Sequence, residues 1–196
     1  CHNTVTAHTL FLRRFAGSVI KAVATAPEEM AEISSTYLGG TSLVFDEGLY
    51  LETGQLFQGS FPLSQEECRE IIELPYRMAG LRNNDVIVVL REFQNIDSEE
   101  GEKLFRTMQD VMLRHKDAPA PFCSFVLIGS RANAMESIFR RRKFFWNIVE
   151  RIELSDPTPY ELSEYVMRGF TLGGKVIDKD QIQGVCNLFR NSLWHI

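Results

Sequence analysis

Val86-Ile87-Val88-Val89-Leu90-Arg91-Glu92-Phe93-Gln94 is the stretch on which the reading of this chain turns. Five consecutive apolar residues, most of them β-branched, predict a strand covered on both faces, as the strands of parallel sheets are. The run closes on a charged pair, Arg91-Glu92, at the strand's carboxyl end, where open α/β sheets bind their ligands. The plainer reading of the same residues is a buried strand with a surface Arg-Glu after it.

Downstream, Asp97 and Glu100 are expected to cap a helix whose Leu104, Phe105, Met108, Val111 and Met112 form one apolar stripe. Pro119 and Pro121 stop it, and Phe122 to Ile128 reads as a second buried strand ending in Gly129-Ser130. A helix over roughly 133–142 and a strand at Val149 to Leu154 follow. Thr158-Pro159-Tyr160-Glu161 caps the next helix with proline in its first turn, and Asp178 with Gln181 opens the last.

Upstream, Phe11, Phe15, Val19 and Val23 recur every four residues, flanked by Leu12, Ala16 and Ile20, and predict a well-buried helix over about 9–24. Gly39-Gly40 breaks the chain before a short strand at Thr41 to Phe45, and Glu47 to Pro62 reads as loop or hairpin. Ser64 and Glu67 form a capping box, opening a helix that Pro75 is expected to end or kink. The succession of elements predicts an α/β domain with a mostly parallel sheet and right-handed crossovers.

The 196 residues are 44% hydrophobic and 24% charged, with net charge −5. This composition excludes extended disorder, and runs of about five apolar residues fall far short of the ~20 that span a bilayer. A net acidic chain is not a general binder of polyanions, although a local basic patch could be. Cys1, Cys68, Cys123 and Cys186 are widely spaced and read as reduced core thiols of a cytoplasmic protein. The four histidines share no ligand spacing, so no metal site is expected. A start at Cys1 and an end at Trp194-His195-Ile196 suggest a piece of a longer polypeptide.

Apolar residues followed by a polar pair are also the layout of a Walker B strand, in which an Asp holds Mg²⁺ and a Glu polarises the attacking water. Here Glu92 stands in the base's place and Arg91 in the aspartate's, where a fixed cation repels the metal. The features that follow are Phe125-Val126-Leu127-Ile128-Gly129-Ser130, Met135 in a helix, Arg151-Ile152-Glu153-Leu154, Tyr160-Glu161, and Phe189 through Ile196. In that order the chain resembles the bacterial and archaeal P-loop ATPases of the AAA+/STAND type. Those read "D-E-F-Q", a "G-S" sensor strand, a methionine-containing helix, an "I-x-L" strand and a helical lid ending near "G-N-P-W-Y-I". The likeness covers roughly 85–196 well and the first 84 residues loosely.

The resemblance implies a three-layer P-loop NTPase-like α/β core with a mostly parallel sheet over 1–156, its first strand missing, and the start of a helical lid over 157–196. It implies ATP and Mg²⁺ as ligands, with Glu92 as base and Ser130 as sensor. A P-loop, "G-x-x-x-x-G-K-T", then overlies His2 at its first glycine, Ala7 at its second, His8 at the lysine and Thr9 at the threonine. Only Thr9 survives, and an N-terminus that merely aligns is the alternative. The glycines allow backbone N–H groups to curl around phosphates, and the lysine supplies a permanent charge that His8 does not. Relatives often carry "Y-G-R" where this chain has Trp146-Asn147-Ile148, so an arginine finger is lost as well.

Two rival features need weighing. Gly169 to Lys175 satisfies G-x-x-x-x-G-K, but a helix precedes it where a strand is required, so it reads as an inter-helical turn. Arg140-Arg141-Arg142-Lys143, joined by Arg131 and Arg151 and followed by Phe144-Phe145-Trp146, is either a nucleic-acid footprint or a solvated helix end. The expectation is therefore an ATPase-type module impaired in hydrolysis, with a regulatory or protein-interaction role and a protein partner or the parent chain as its contact. A working ATPase whose P-loop lies outside the fragment and a basic-patch nucleic-acid binder are the alternatives.

Overall fold

The structure is a computed structural model that describes residues 7–58, 62–152 and 157–189. The chain divides into two compact units, Cys1–Val149 and Glu150–Ile196. His2, and the other residues outside those ranges, lie beyond the described part. No helix among the described residues is long and apolar enough to cross a membrane.

In the first unit α1 (Ala7–Val23), α2 (Pro27–Leu38), α4 (Gln65–Arg82) and α5 (Glu99–Arg114) supply most of the core. The apolar stripe of α1 is centred on Leu12, Ala16 and Ile20, each essentially inaccessible, while Phe11, Val19 and Val23 pack beside it half-buried. The stripe of α5 is buried as its spacing predicts, Leu104, Phe105, Met108, Val111 and Met112 all facing inward. Its cap differs from expectation. Ser98, not Asp97, accepts the backbone N–H of Gly101, which leaves the Asp97 carboxylate for an ion pair described below.

The predicted three-layer domain with a mostly parallel sheet is not what forms. Among the described residues there are two separate two-stranded ladders. β1 (Val44–Phe45) pairs antiparallel with β2 (Phe57–Gln58), and the segment between them contains a helix, α3 (Glu47–Thr53). Asp46 caps that helix at its start by accepting from Leu49 N–H, and Gly54 ends it at φ +72°, a conformation glycine adopts without cost. Only β3 (Val86–Leu90) and β4 (Cys123–Leu127) run parallel, in the register Val86↔Cys123 to Leu90↔Leu127. The strand expected at 149–154 does not appear in its described part, where Ile152 is 82% exposed.

β3 is also not covered on both faces. Val88 and Leu90 turn inward, whereas Ile87 is 70% and Val89 51% exposed. Helix α4 packs on the ladder, so the side chains that alternate toward it are buried and their neighbours are not.

Helix α4 runs without interruption through Pro75, which is itself buried. The proline forfeits one backbone hydrogen bond, but burial of Ile71, Ile72, Leu74 and Met78 on the same helix outweighs that loss. At its start the Ser64 hydroxyl accepts from Glu67 N–H at 3.2 Å and the Glu67 carboxylate accepts from Ser64 N–H at 2.7 Å. The same carboxylate takes Ser42 N–H at 2.6 Å and the Ser42 hydroxyl. Burial opposes ionisation of Glu67, yet the donors from Ser42 and Ser64 prevail and hold its carboxyl at about 2.

A depressed carboxyl contributes stability that is present above its unfolded value and is lost as pH falls through the folded one. The stability of the wild type against urea should therefore fall as the pH drops from near 4.5 to about 2. Glu67→Gln is expected to cost about 1 kcal/mol at neutral pH and to flatten that acid limb.

The second unit holds α7 (Pro159–Leu172) and α8 (Lys179–Leu188) around Leu162, Ile182 and Cys186. Thr158 and Glu161 form the expected capping box. The first four residues of the G-x-x-x-x-G-K segment, Gly169 to Leu172, form the last turn of α7, and only Gly173 to Lys175 belong to the connection between the two helices, with Gly174 at φ +68°. Cys68, Cys123 and Cys186 are free thiols.

Candidate functional site

The parallel register sets the site. Because Leu90 lies opposite Leu127, the residues leaving both strands meet at the same edge, with Ile128 N–H donating to Leu90 C=O at 2.8 Å and Phe93 N–H to Ile128 C=O at 2.9 Å. Glu92 occupies the turn between them with φ +53°, a left-handed conformation uncommon for a side chain of this size. It leads into a short 3₁₀ helix, Phe93–Ile96, anchored by a fully buried Phe93.

One carboxylate oxygen of Glu92 accepts from the Ser130 hydroxyl at 2.6 Å and from the Gln94 amide at 2.6 Å. The same amide reaches the Ser130 oxygen at 3.3 Å. Gln94 is only 5% exposed, and its carbonyl oxygen, also buried, has no hydrogen-bond partner among the described residues. The Ser130 and Gln94 donors lower the Glu92 carboxyl, and the guanidinium groups of Arg91 and Arg131 add to the effect. A carboxylate held in its charged form is a weak proton acceptor. The arrangement suits a fixed negative acceptor better than a general base.

Fit to Mg²⁺ is poor. A magnesium site draws on carboxylates together with phosphate oxygens. Here a single carboxylate sits between Arg91 and Arg131, and no group of three or more His, Cys, Asp or Glu residues that could hold a metal occurs among the described residues.

Of the residues overlaid on a P-loop, Ala7 begins α1, His8 Nε2 lies 3.2 Å from the Ser98 hydroxyl, and Thr9 is buried. His8 is thus brought to the head of α5, just after the 3₁₀ helix that carries Gln94.

The basic run is divided among partners. The helix expected over 133–142 is α6 (Ala132–Glu136) continued by a π turn, Ser137–Arg141. Arg142 pairs with Asp97 at 2.6 Å and with Glu102 at 3.5 Å, contacts that hold its guanidinium firmly charged. Arg140 lies 3.8 Å from Glu136, Arg131 donates to Asn95 at 3.1 Å, and the Lys143 ammonium stands 5.8 Å from the Trp146 ring centre. Phe144 and Phe145 turn into the core and are not available for stacking on bases. Arg141 is exposed.

Gln94 closes the Walker B-like stretch without a role of its own in the sequence, and Asn95 lies just beyond it. Their signal was the polar pair directly after Phe93, which the short 3₁₀ helix turns back toward Ser130 and Arg131. No protein-family model, no curated protein and no solved structure matches the chain.

Proposed function

We propose that this chain is a regulatory or protein-interaction module of the AAA+/STAND ATPase kind, impaired in nucleotide hydrolysis and working in the cytoplasm against a protein partner or the rest of its parent polypeptide. The observation that carries this reading is the state of Glu92. The residue in the catalytic base's place is bound by Ser130 and Gln94 and kept ionised, while Arg91 stands where a metal-holding carboxylate is needed. A base so stabilised gains little by taking a proton, and a cation in the metal's position raises the cost of assembling a charged transition state.

Calorimetric titration of the full chain with Mg-ATP tests the proposal together with a phosphate-release assay. The expected result is no saturable heat and no release above the buffer rate. Turnover that Glu92→Gln abolishes would overturn it, because that outcome requires Glu92 to serve as a working base.

A further inference from the structure

Helix α4 packs on the β3–β4 ladder, and neither edge of the ladder carries a further strand among the described residues. We infer that the β3 edge pairs antiparallel with the same edge of a second copy of this chain. The twofold axis passes between the two copies of Val88, and Asp85 of each copy stands opposite Arg91 of the other. Such an isologous contact uses one surface twice, so that surface must be complementary to itself.

The backbone decides which residues take part. Val86 N–H donates to Phe122 C=O at 2.8 Å, and Leu90 C=O accepts from Ile128 N–H at 2.8 Å. Val86, Val88 and Leu90 thus commit their backbone groups to β4. Ile87 and Val89 direct theirs to the outer edge, where no described residue bonds them. An edge with unpaired N–H and C=O groups is a template for another strand. Residues that exchange both bonds across an antiparallel pair stand directly opposite each other. An axis at Val88 meets that condition, setting Ile87 of one copy opposite Val89 of the other at two places. Both side chains are exposed and β-branched, a combination that favours cross-strand contact. The β4 edge is less suited, because Pro121 stands at one of its outward positions and has no N–H to offer.

Axes at Ile87 or Val89 satisfy the backbone equally well, and the charges choose among the three. Asp85 and Arg91 bracket β3 at the same parity as Ile87 and Val89, and both are exposed. Asp85 gives one carboxylate oxygen to Phe122 N–H at 2.7 Å, while Arg91 makes no hydrogen bond or ion pair with a described residue. With the axis at Val88 each Asp85 meets an Arg91, so two opposite-charge pairs close the ends of the contact. Glu92 then lies opposite Asn84, and no like charges are opposed. An axis at Ile87 sets Asp85 against Val89, and one at Val89 sets it against Phe93, each without a charge partner. Pairing joins the two ladders into four strands, where a two-stranded ladder is marginal by itself. The shared edge is short, so the dimer is weak and reversible, with dissociation at about 100 µM.

Sedimentation equilibrium of the full chain tests the pairing, with a monomer–dimer equilibrium expected for the wild type. Arg91→Glu puts a carboxylate opposite Asp85, and Asp85→Lys puts an ammonium opposite Arg91. Each variant alone should dimerise at least about tenfold more weakly than the wild type. Mixed in equal amounts, the two should regain the wild-type affinity, because every charge then meets its opposite across the axis. Arg91 makes no polar contact with a described residue, so Arg91→Glu should keep the wild-type unfolding midpoint. It serves as the test by itself if Asp85→Lys, which loses the Phe122 contact, does not fold. A wild type that stays monomeric well above that concentration would overturn the inference and leave the edge to another part of the parent chain or to a foreign peptide. Self-association that Arg91→Glu does not weaken would place the contact on another surface. A mixture no tighter than its components would refute the register.

Discussion

Phe93→Ala is expected to destabilise the unit Cys1–Val149 by about 3–5 kcal/mol, the cost of a large buried aromatic truncated to a methyl. Phe93 is inaccessible to solvent and lies 5.1 Å from Phe105, 5.9 Å from Phe145 and 6.0 Å from Phe139 between ring centres. Those rings come from α5, from the π turn and from the chain that follows it, and Phe105 in turn contacts Phe144 at 5.3 Å. A single side chain at the end of β3 therefore ties together elements spread over some fifty residues of sequence. Each tilted or edge-on pair adds about 0.5–1.5 kcal/mol beyond area burial. The void left by alanine cannot collapse easily, because its walls are rings held from three directions. Denaturant unfolding supplies the measurement, with Phe122→Ala as the comparison. Phe122 is 56% exposed, and its truncation should shift stability by no more than about 0.5 kcal/mol. Equal effects for the two variants would mean that the aromatic cluster is not the centre of the core.

The features legible in the sequence were local ones. Ser64 with Glu67, and Thr158 with Pro159 and Glu161, announce helix starts because both halves of each capping box lie within one turn of chain. The α5 stripe is legible for the same reason, as is the turn at Gly173-Gly174. Sheet architecture was not. The apolar run Val86 to Leu90 does signal a strand, but the number of strands that pair with it depends on residues far away in sequence, and here β4 alone does so among the described residues. Helix α3 hid behind glycine and acidic residues that also suit loops, although Asp46 and Gly54 are its cap and its stop. At the site, Glu92 and Ser130 are picked out by the Walker B and sensor-strand resemblance, which predicts no bond between them; their hydrogen bond follows from the parallel register that brings both strand ends to one edge. The ion pairs of Arg142 with Asp97 and Glu102 were invisible, since side chains 45 and 40 residues apart carry no shared local signal.

Gly129→Ala tests whether the site's polar network is set by packing behind it. A methyl group at this position would contact the Met135 sulfur and stand 2.6 Å from the Gln94 side-chain oxygen. Both approaches are closer than van der Waals contact, so one neighbour must move, at a cost of about 1–3 kcal/mol for overpacking. Met135 is flexible and half-buried, and truncating it in the Gly129→Ala/Met135→Ala double variant should recover part of the loss. Gln94 has less room, because its amide is already committed to Glu92 and Ser130. Displacing it removes one of the two donors that keep the Glu92 carboxyl low. Carbon-detected NMR titration should accordingly find the Glu92 value raised toward the ordinary carboxylate range in the single variant, and still raised in the double one, since Met135→Ala relieves only the sulfur contact. Recovery of both stability and the Glu92 titration in the double variant would assign the whole effect to Met135 and leave Gln94 a bystander. A glycine is required here, then, because the strand end, the methionine and the buried amide converge on a space that a single methyl group would fill.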